Sequence, residues 1–324
     1  MENYNDIHYN DILYIVVPCY NEEEVLPETS KRLKEKMTAL ISDGKISDKS
    51  RVIFVDDGSR DRTWEIIEEL YNSDELFGGL KLSRNKGHQN ALLAGLMTAK
   101  ELADITISMD ADLQDDINVV DKFVDKYHEG CDIVYGVRSS RKTDTAFKRG
   151  TAGMFYKFMR LLGVDIIDNH ADYRLISKRA LEALSQFKEV NLFLRGIVKQ
   201  IGFKSDIVYY ERSERFAGES KYPLKKMLSF AFDGITSFSV KPIRLVTVVG
   251  FLVFLVSIPM IVYAIVQSCL GNSQAGWGSL MCSIWFLSGL NIMALGIVGE
   301  YVGKIYTEVK ARPKYIIDKF INHE

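Results

Sequence analysis

The stretch SMDADLQDD, residues 108–116, sets Asp110 and Asp112 either side of one alanine and adds Asp115 and Asp116. Like charges at ~4 Å repel by roughly 4 kcal/mol at an effective dielectric of 20, so such a pair calls for a cation. Hard carboxylate oxygens suit Mg2+ or Mn2+, which take one or two protein carboxylates and leave other positions to water and substrate phosphate. Gln114 can add a neutral oxygen at the same turn. The chemistry to expect is a divalent ion holding a diphosphate. The plainer reading, a solvated acidic turn or helix start, also fits a lone DxD. Two more polar clusters, PCYNEE at 18–23 and DDGSRDRT at 56–63, raise the functional reading. Asp56 and Asp57 can accept from a ribose hydroxyl or a base N–H, or can close a DDGS turn. No GxGxxG follows a strand-like run and no GxxxxGK[ST] occurs, so neither phosphate loop is present.

Each cluster follows an apolar run. LYIVVP (13–18), RVIFVDD (51–57), GLKLS (79–83), DITISMD (104–110) and DIVYGV (132–137) read as strands. Helix-like segments such as NEEEVLPETSKRLKEKMTAL and KGHQNALLAGLMTAKEL separate them. Repeated units of this length predict an α/β fold with a mostly parallel sheet and helices on both faces. Ligands of such sheets bind at the carboxyl ends of the strands, where the clusters stand.

The chain of 324 residues carries a formal net charge of −2, which argues against nucleic acid as a partner. Its apolar residues are unevenly spread: from Leu245 to Gly299 there is no Asp, Glu, Lys or Arg. Leu245–Gln267 and Gly278–Gly299 are each long enough to span a bilayer, which takes about 20 residues, and the short polar turn between them makes a hairpin. Lys241 and Arg244 precede the first span and Lys304, Lys310, Arg312 and Lys314 follow the second, so both ends are expected on the cytoplasmic side. That predicts a multi-pass protein of the cell membrane with residues 1–222 as a cytoplasmic catalytic domain and 304–324 as a cytoplasmic tail. Between domain and hairpin, residues 223–242 carry Leu224, Met227, Leu228, Ala231, Ile235 and Phe238 at helical spacing. This stripe suits an amphipathic helix on the membrane surface, or one docked on the soluble domain. Gly296, Gly299 and Gly303 allow close helix packing, within the hairpin or in a homo-oligomer. The tail KARPKYIIDKF suits docking on the membrane surface or on a neighbouring chain. The four cysteines form no CxxC pair, which argues against a disulfide framework or zinc site, and the polar N-terminus does not read as a signal peptide.

VVPCYNEEE, FVDDGSRDRT, RNKGHQNALLAG, DADLQD, DYRLIS and RFAGESKY occur in this order. Together they resemble the family-2 glycosyltransferases of GT-A fold, and within these the polyprenyl-phosphate branch: dolichol-phosphate mannose synthases and bactoprenol glucosyltransferases. The resemblance runs from about Ile15 to Tyr222, and the hairpin matches the bactoprenol branch. It implies an inverting enzyme that moves one sugar, glucose or N-acetylglucosamine, from a UDP-sugar to a polyprenyl phosphate. It implies Pro18, Tyr20, Asn21 and Glu22 at the nucleotide, with Asp57 at the base or ribose. It implies Asp110, Asp112 and Gln114 at the metal, and Arg138, Arg215, Ser220 and Lys221 at phosphates. Asp172 becomes the acceptor-side acid, either a base or an orienter of Arg174 or a sugar hydroxyl. Some relatives carry a lysine and an acid where this chain has His88 and Gln89, which leaves the role of His88 open. The processive QxxRW signature is absent, which disfavours repeated addition. A membrane-tethered transferase with a protein or glycan acceptor is the second enzyme reading. A non-catalytic nucleotide-sugar sensor is the reading from outside enzymology.

Overall fold

Leu13–Cys19 is buried at every position, as a strand covered on both faces must be. In the computed structural model this is strand β1. The structure describes residues 9–139, 170–189, 194–211 and 276–323, with isolated positions between 246 and 270. The expected amphipathic helix, residues 223–242, lies outside the described residues.

The apolar runs fold as the alternation predicts. After β1 come α1 (Leu26–Ser42), β2 (Arg51–Asp56), α2 (Thr63–Ser73) and β3 (Phe77–Leu82). Next are α3 (His88–Ala99), β4 (Ile105–Ser108), α4 (Val120–His128) and β5 (Ile133–Arg138). Then follow β6 (His170–Ser177), α5 (Lys178–Ser185), α6 (Leu194–Gln200) and β7 (Ser205–Tyr210). A long helix α7 (Trp277–Lys310) and a last strand β8 (Ile317–Ile321) complete the described elements.

The eight strands form one sheet in the order β7-β5-β6-β4-β1-β2-β3-β8. β1 lies parallel to β2 and β4, β2 to β3, and β5 to β7. Two strands break the pattern. β6 runs antiparallel between β4 and β5, with Arg174 level with Ser108. An antiparallel strand begins where its neighbours end, so the first residues of β6 lie beside the carboxyl end of β4. The second exception is β8, which pairs antiparallel with β3, Phe320 opposite Leu80 and Ile321 opposite Gly79.

The terminal segment thus pairs with this chain's own sheet, in place of the membrane surface or the neighbouring chain that the sequence suggested. Asn322 donates to the Tyr14 hydroxyl at 3.2 Å, and His323 stacks on Tyr71 at 4.1 Å. A Cβ on Gly79 would stand 2.5 Å from Ile67 and 3.2 Å from Ile321, so glycine alone fits between α2 and β8. Pairing covers the edge of β3, which would otherwise expose unpaired backbone groups. Deleting residues 315–324 is therefore expected to cost roughly 2 to 4 kcal/mol, the net worth of a short ladder. Thermal melting together with light scattering checks it, as a lower midpoint and a greater tendency to aggregate.

The chain divides into two compact units, and α7 belongs to the second while every strand belongs to the first. α7 continues beyond Gly299, where the expected span stopped. Glu300, Lys304 and Glu308 follow at four-residue spacing and support further turns. The helix ends at Ala311, in the left-handed region at φ 44, ahead of Pro313. Its segment Phe286–Lys310 is long and apolar enough to cross a membrane, and Phe286, Ile292 and Leu295 are exposed. Of the other expected span only isolated positions are described, and Val248, Leu252, Leu255, Val262 and Val266 among them are helical and exposed.

Candidate active site

The loops after β1 and β2 are stitched together. Asn21 stands in the left-handed region at φ 53, donates its amide to Ser59 Oγ at 3.0 Å and accepts Arg60 N at 2.9 Å. Glu22 N donates to Thr63 Oγ1 at 2.9 Å. Pro18 stands next to last in β1, level with Val55, and Tyr20, Asn21 and Glu22 follow Cys19 half-buried. These expected nucleotide residues therefore lie together at one strand end.

Asp56 and Asp57 have different surroundings. Both oxygens of Asp57 accept backbone amides of the β3–α3 loop, Lys86 N at 2.6 Å and Gly87 N at 2.8 Å. Burial pushes its carboxyl up, and these two amides pull against that. Asp57 thus holds the loop that delivers His88. Asp56 is fully buried, accepts Ser59 N on Oδ1 at 3.0 Å, and has no hydrogen-bond partner for Oδ2 among the described residues.

After β4, the loop bearing Asp110, Asp112 and Gln114 is held from three sides. Thr29 Oγ1 of α1 donates to Ala111 O at 2.8 Å, and Tyr173 of β6 donates its hydroxyl to Asp116 O at 3.0 Å. Asp115 is buried and accepts the Tyr210 hydroxyl at 2.5 Å and Arg138 Nη2 at 3.3 Å. Arg138, expected at a phosphate, thus pairs with this anchor. Leu113 takes a left-handed φ of 57, and Gln114 N donates to Asp112 Oδ1 at 3.2 Å.

Asp172 lies beside this loop because β6 runs backwards. It is buried, as is Arg174, which donates to its Oδ1 at 2.5 Å. Arg195 of α6 reaches both oxygens, Nε to Oδ1 at 3.3 Å and Nη2 to Oδ2 at 3.0 Å. Burial alone would raise the Asp172 carboxyl, but Arg195, His88 and Arg174 outweigh it and hold the group well below the usual carboxylate range. A carboxylate gripped in this way is a poor proton acceptor at neutral pH. His88 stands between the two acids, its Nε2 3.5 Å from Asp110 and 3.7 Å from Asp172. Arg195 was not visible in the sequence: it is 23 residues from Asp172, in a stretch without a motif. Arg215, Ser220 and Lys221 lie outside the described residues.

Burial pushes the Asp110 carboxyl up and His88 pulls it down, while Asp172 and Asp112 add to the rise. The Asp172 and Asp112 carboxylates add negative potential at Asp110 that a cation would offset. No group of three or more His, Cys, Asp or Glu side chains among the described residues is arranged to hold a metal. The carboxylates of Asp110 and Asp112 nevertheless suit a divalent ion, which takes one or two protein carboxylates and completes its shell with water and substrate phosphate.

The chain is a glycosyltransferase. The chain belongs to glycosyl transferase family 2, whose family model matches residues 14–185, and the model of the GtrB C-terminal hairpin matches residues 241–305. The chain is similar to the uncharacterized glycosyltransferase YkoT of Bacillus subtilis (strain 168), with 59% identity over 95% of this chain and 91% of the relative. It is similar to the SfII prophage-derived bactoprenol glucosyl transferase of Shigella flexneri, with 40% identity over 94% of this chain and 97% of the relative. Among solved structures, glucosyl-3-phosphoglycerate synthase from Mycobacterium tuberculosis aligns with 16% identity and a TM-score of 0.44, over 70% of this chain and 76% of that one. The α/β fold and family-2 membership expected from the motifs are borne out.

Proposed function

We propose that the protein transfers one sugar, glucose or N-acetylglucosamine, from a UDP-sugar to a polyprenyl phosphate at the cytoplasmic face of the cell membrane. The product is a lipid-linked sugar that serves as donor for cell-envelope glycosylation. The observation that carries this reading is the convergence of Asp110 and Asp172 on His88, beside Arg195, in a chain 40% identical to a bactoprenol glucosyl transferase. One acid belongs to the metal pair and the other to an arginine clamp, as joining two anionic substrates requires.

In the reaction an oxygen of the lipid phosphate attacks the anomeric carbon, the bond to the β-phosphate oxygen breaks, and UDP leaves with inversion. A phosphate monoester has a second pKa of about 6 and is already a nucleophile near pH 7. No base is needed, so Asp172 orients its arginines. Asp110 and Asp112, with Gln114, hold Mg2+ or Mn2+, which supplies charge neutralisation for the leaving diphosphate. Pro18, Tyr20, Asn21 and Glu22 line the nucleotide site, with Asp57 at the base or ribose. Arg215, Ser220 and Lys221 act on phosphate.

Chain topology supports the membrane assignment. β8 shares a sheet with β1–β7, which precede the hairpin in sequence, and an even number of crossings would return the chain to the side it left. Basic residues at 241, 244, 304, 310, 312 and 314 make that side cytoplasmic.

Purified full-length protein in detergent, given undecaprenyl phosphate, Mn2+ or Mg2+ and a panel of UDP-sugars, is expected to release UDP from one donor only when lipid is present. Release indifferent to the lipid, or dependent on a protein or glycan acceptor, would overturn the reading. Asp57→Asn turns one acceptor of the two loop amides into a donor and is expected to weaken UDP binding about 10-fold, read by calorimetry.

A further inference from the structure

We infer that Arg195 contacts the phosphate of the acceptor and that Gln89 is the positioning residue that sets it there. The inference rests on the acceptor reading above. Leu194, the residue before Arg195, has both its backbone groups held by side chains from other elements. Its amide donates to Gln89 Oε1 of α3 at 3.0 Å, and its carbonyl accepts Arg174 Nη1 of β6 at a long 3.5 Å. Its own side chain is buried. The backbone that carries Arg195 is therefore fixed from two directions, with its guanidinium laid along Asp172.

Arg174 and Arg195 serve the same carboxylate but differ in access. The Arg174 side chain is 1% exposed and acts as a buried counter-ion, whereas that of Arg195 is 34% exposed. A partly exposed guanidinium presents a planar fork of donors suited to phosphate. Its partner decides which phosphate. His88 Nε2 lies 3.5 Å from Asp110 and 3.7 Å from Asp172 Oδ2, and Arg195 Nη2 lies 3.0 Å from that same Asp172 oxygen. On the acceptor reading the donor's diphosphate belongs with Asp110 and Asp112, and Arg195, which grips Asp172, takes the acceptor's phosphate. Gln89 adjoins His88 in the first turn of α3, so one helix start sets both His88 and the backbone that carries Arg195.

The test uses the full-length protein in detergent with undecaprenyl phosphate and the active UDP-sugar. Arg195→Ala is expected to raise the acceptor KM about 10- to 100-fold, the worth of one charge-assisted contact, and to leave the UDP Kd within about twofold. Arg195→Lys should recover part of the loss. Gln89→Leu removes the acceptor for Leu194 N and should raise the acceptor KM about 10-fold, and Gln89→Glu, which still offers an oxygen, should recover most of it. An unchanged acceptor KM in Arg195→Ala or Arg195→Lys, or an equal loss of UDP affinity, would overturn this inference while leaving the reaction standing. A wild-type protein without lipid-dependent turnover would overturn both. Should Arg195→Ala fail to fold, Arg195→Lys and the Gln89 pair decide the matter by the same ratio of acceptor KM to UDP Kd.

Discussion

Asp112→Ala is expected to lose about 10^3-fold in turnover while melting at or above the wild-type temperature in EDTA. The loss follows from the several kcal/mol that a divalent ion contributes at a leaving diphosphate. The retained stability follows from the anchoring of the loop by Thr29, Tyr173 and Asp115, none of which the substitution touches. Removing one carboxylate also relieves the repulsion between Asp112 and Asp110 that the metal-free protein carries. Ligand linkage supplies a readout separate from turnover. Mn2+ with UDP at 100 times the dissociation constant should stabilise the wild type by about 2.7 kcal/mol, and the variant far less. EDTA should abolish wild-type turnover, and added Mn2+ or Mg2+ should restore it. Full activity in EDTA, or equal stabilisation of both proteins by Mn2+ and UDP, would remove the metal from the scheme.

Asp172→Asn is expected to lose both stability and turnover. Arg174 is fully buried, and its described partners are Asp172 and the distant Leu194 carbonyl. Removing the carboxylate charge strands a guanidinium in the interior, which costs roughly 3 to 5 kcal/mol. Replacing both members, as Asp172→Asn with Arg174→Met, should recover much of that stability, because an apolar pair leaves no orphaned charge. Turnover should stay low in the double variant, since Arg195 has lost its support. Thermal melts of the three variants and their kcat values separate the two effects. A single Asp172→Asn that melts like the wild type would show that Arg174 is not held as the structure describes.

Much of the donor side was legible in the sequence. Asp110, Asp112 and Gln114 follow an apolar run, and an apolar run of that length becomes a strand whose carboxyl end must be a loop. The same local logic placed Pro18 to Glu22 and the DDGS turn at strand ends, and the charge-free stretch announced apolar helices. All of these depend on residues within a few positions of one another.

The acceptor side depended on pairing across the sheet. Asp172 meets Asp110 only because β6 inserts antiparallel between β4 and β5, and strand direction is set by long-range register, which a local pattern does not encode. Arg195 joins it from a helix whose start is fixed by Gln89, 105 positions away. Asp56 and Asp57 are identical neighbours in sequence, yet Asp57 accepts two loop amides while Asp56 keeps a buried oxygen without a hydrogen-bond partner among the described residues. β8 reads in sequence as a basic, partly apolar tail, and becomes an edge strand because β3 offers it an open ladder and a glycine to lie against. The sequence by itself determined the family, the place of Asp110 and Asp112 after a strand and the apolar character of the C-terminal helix, because these are written in short-range pattern. Only the tertiary structure decided which acids face each other, which arginines grip them and where the chain ends, because those follow from backbone direction and side-chain reach between distant segments.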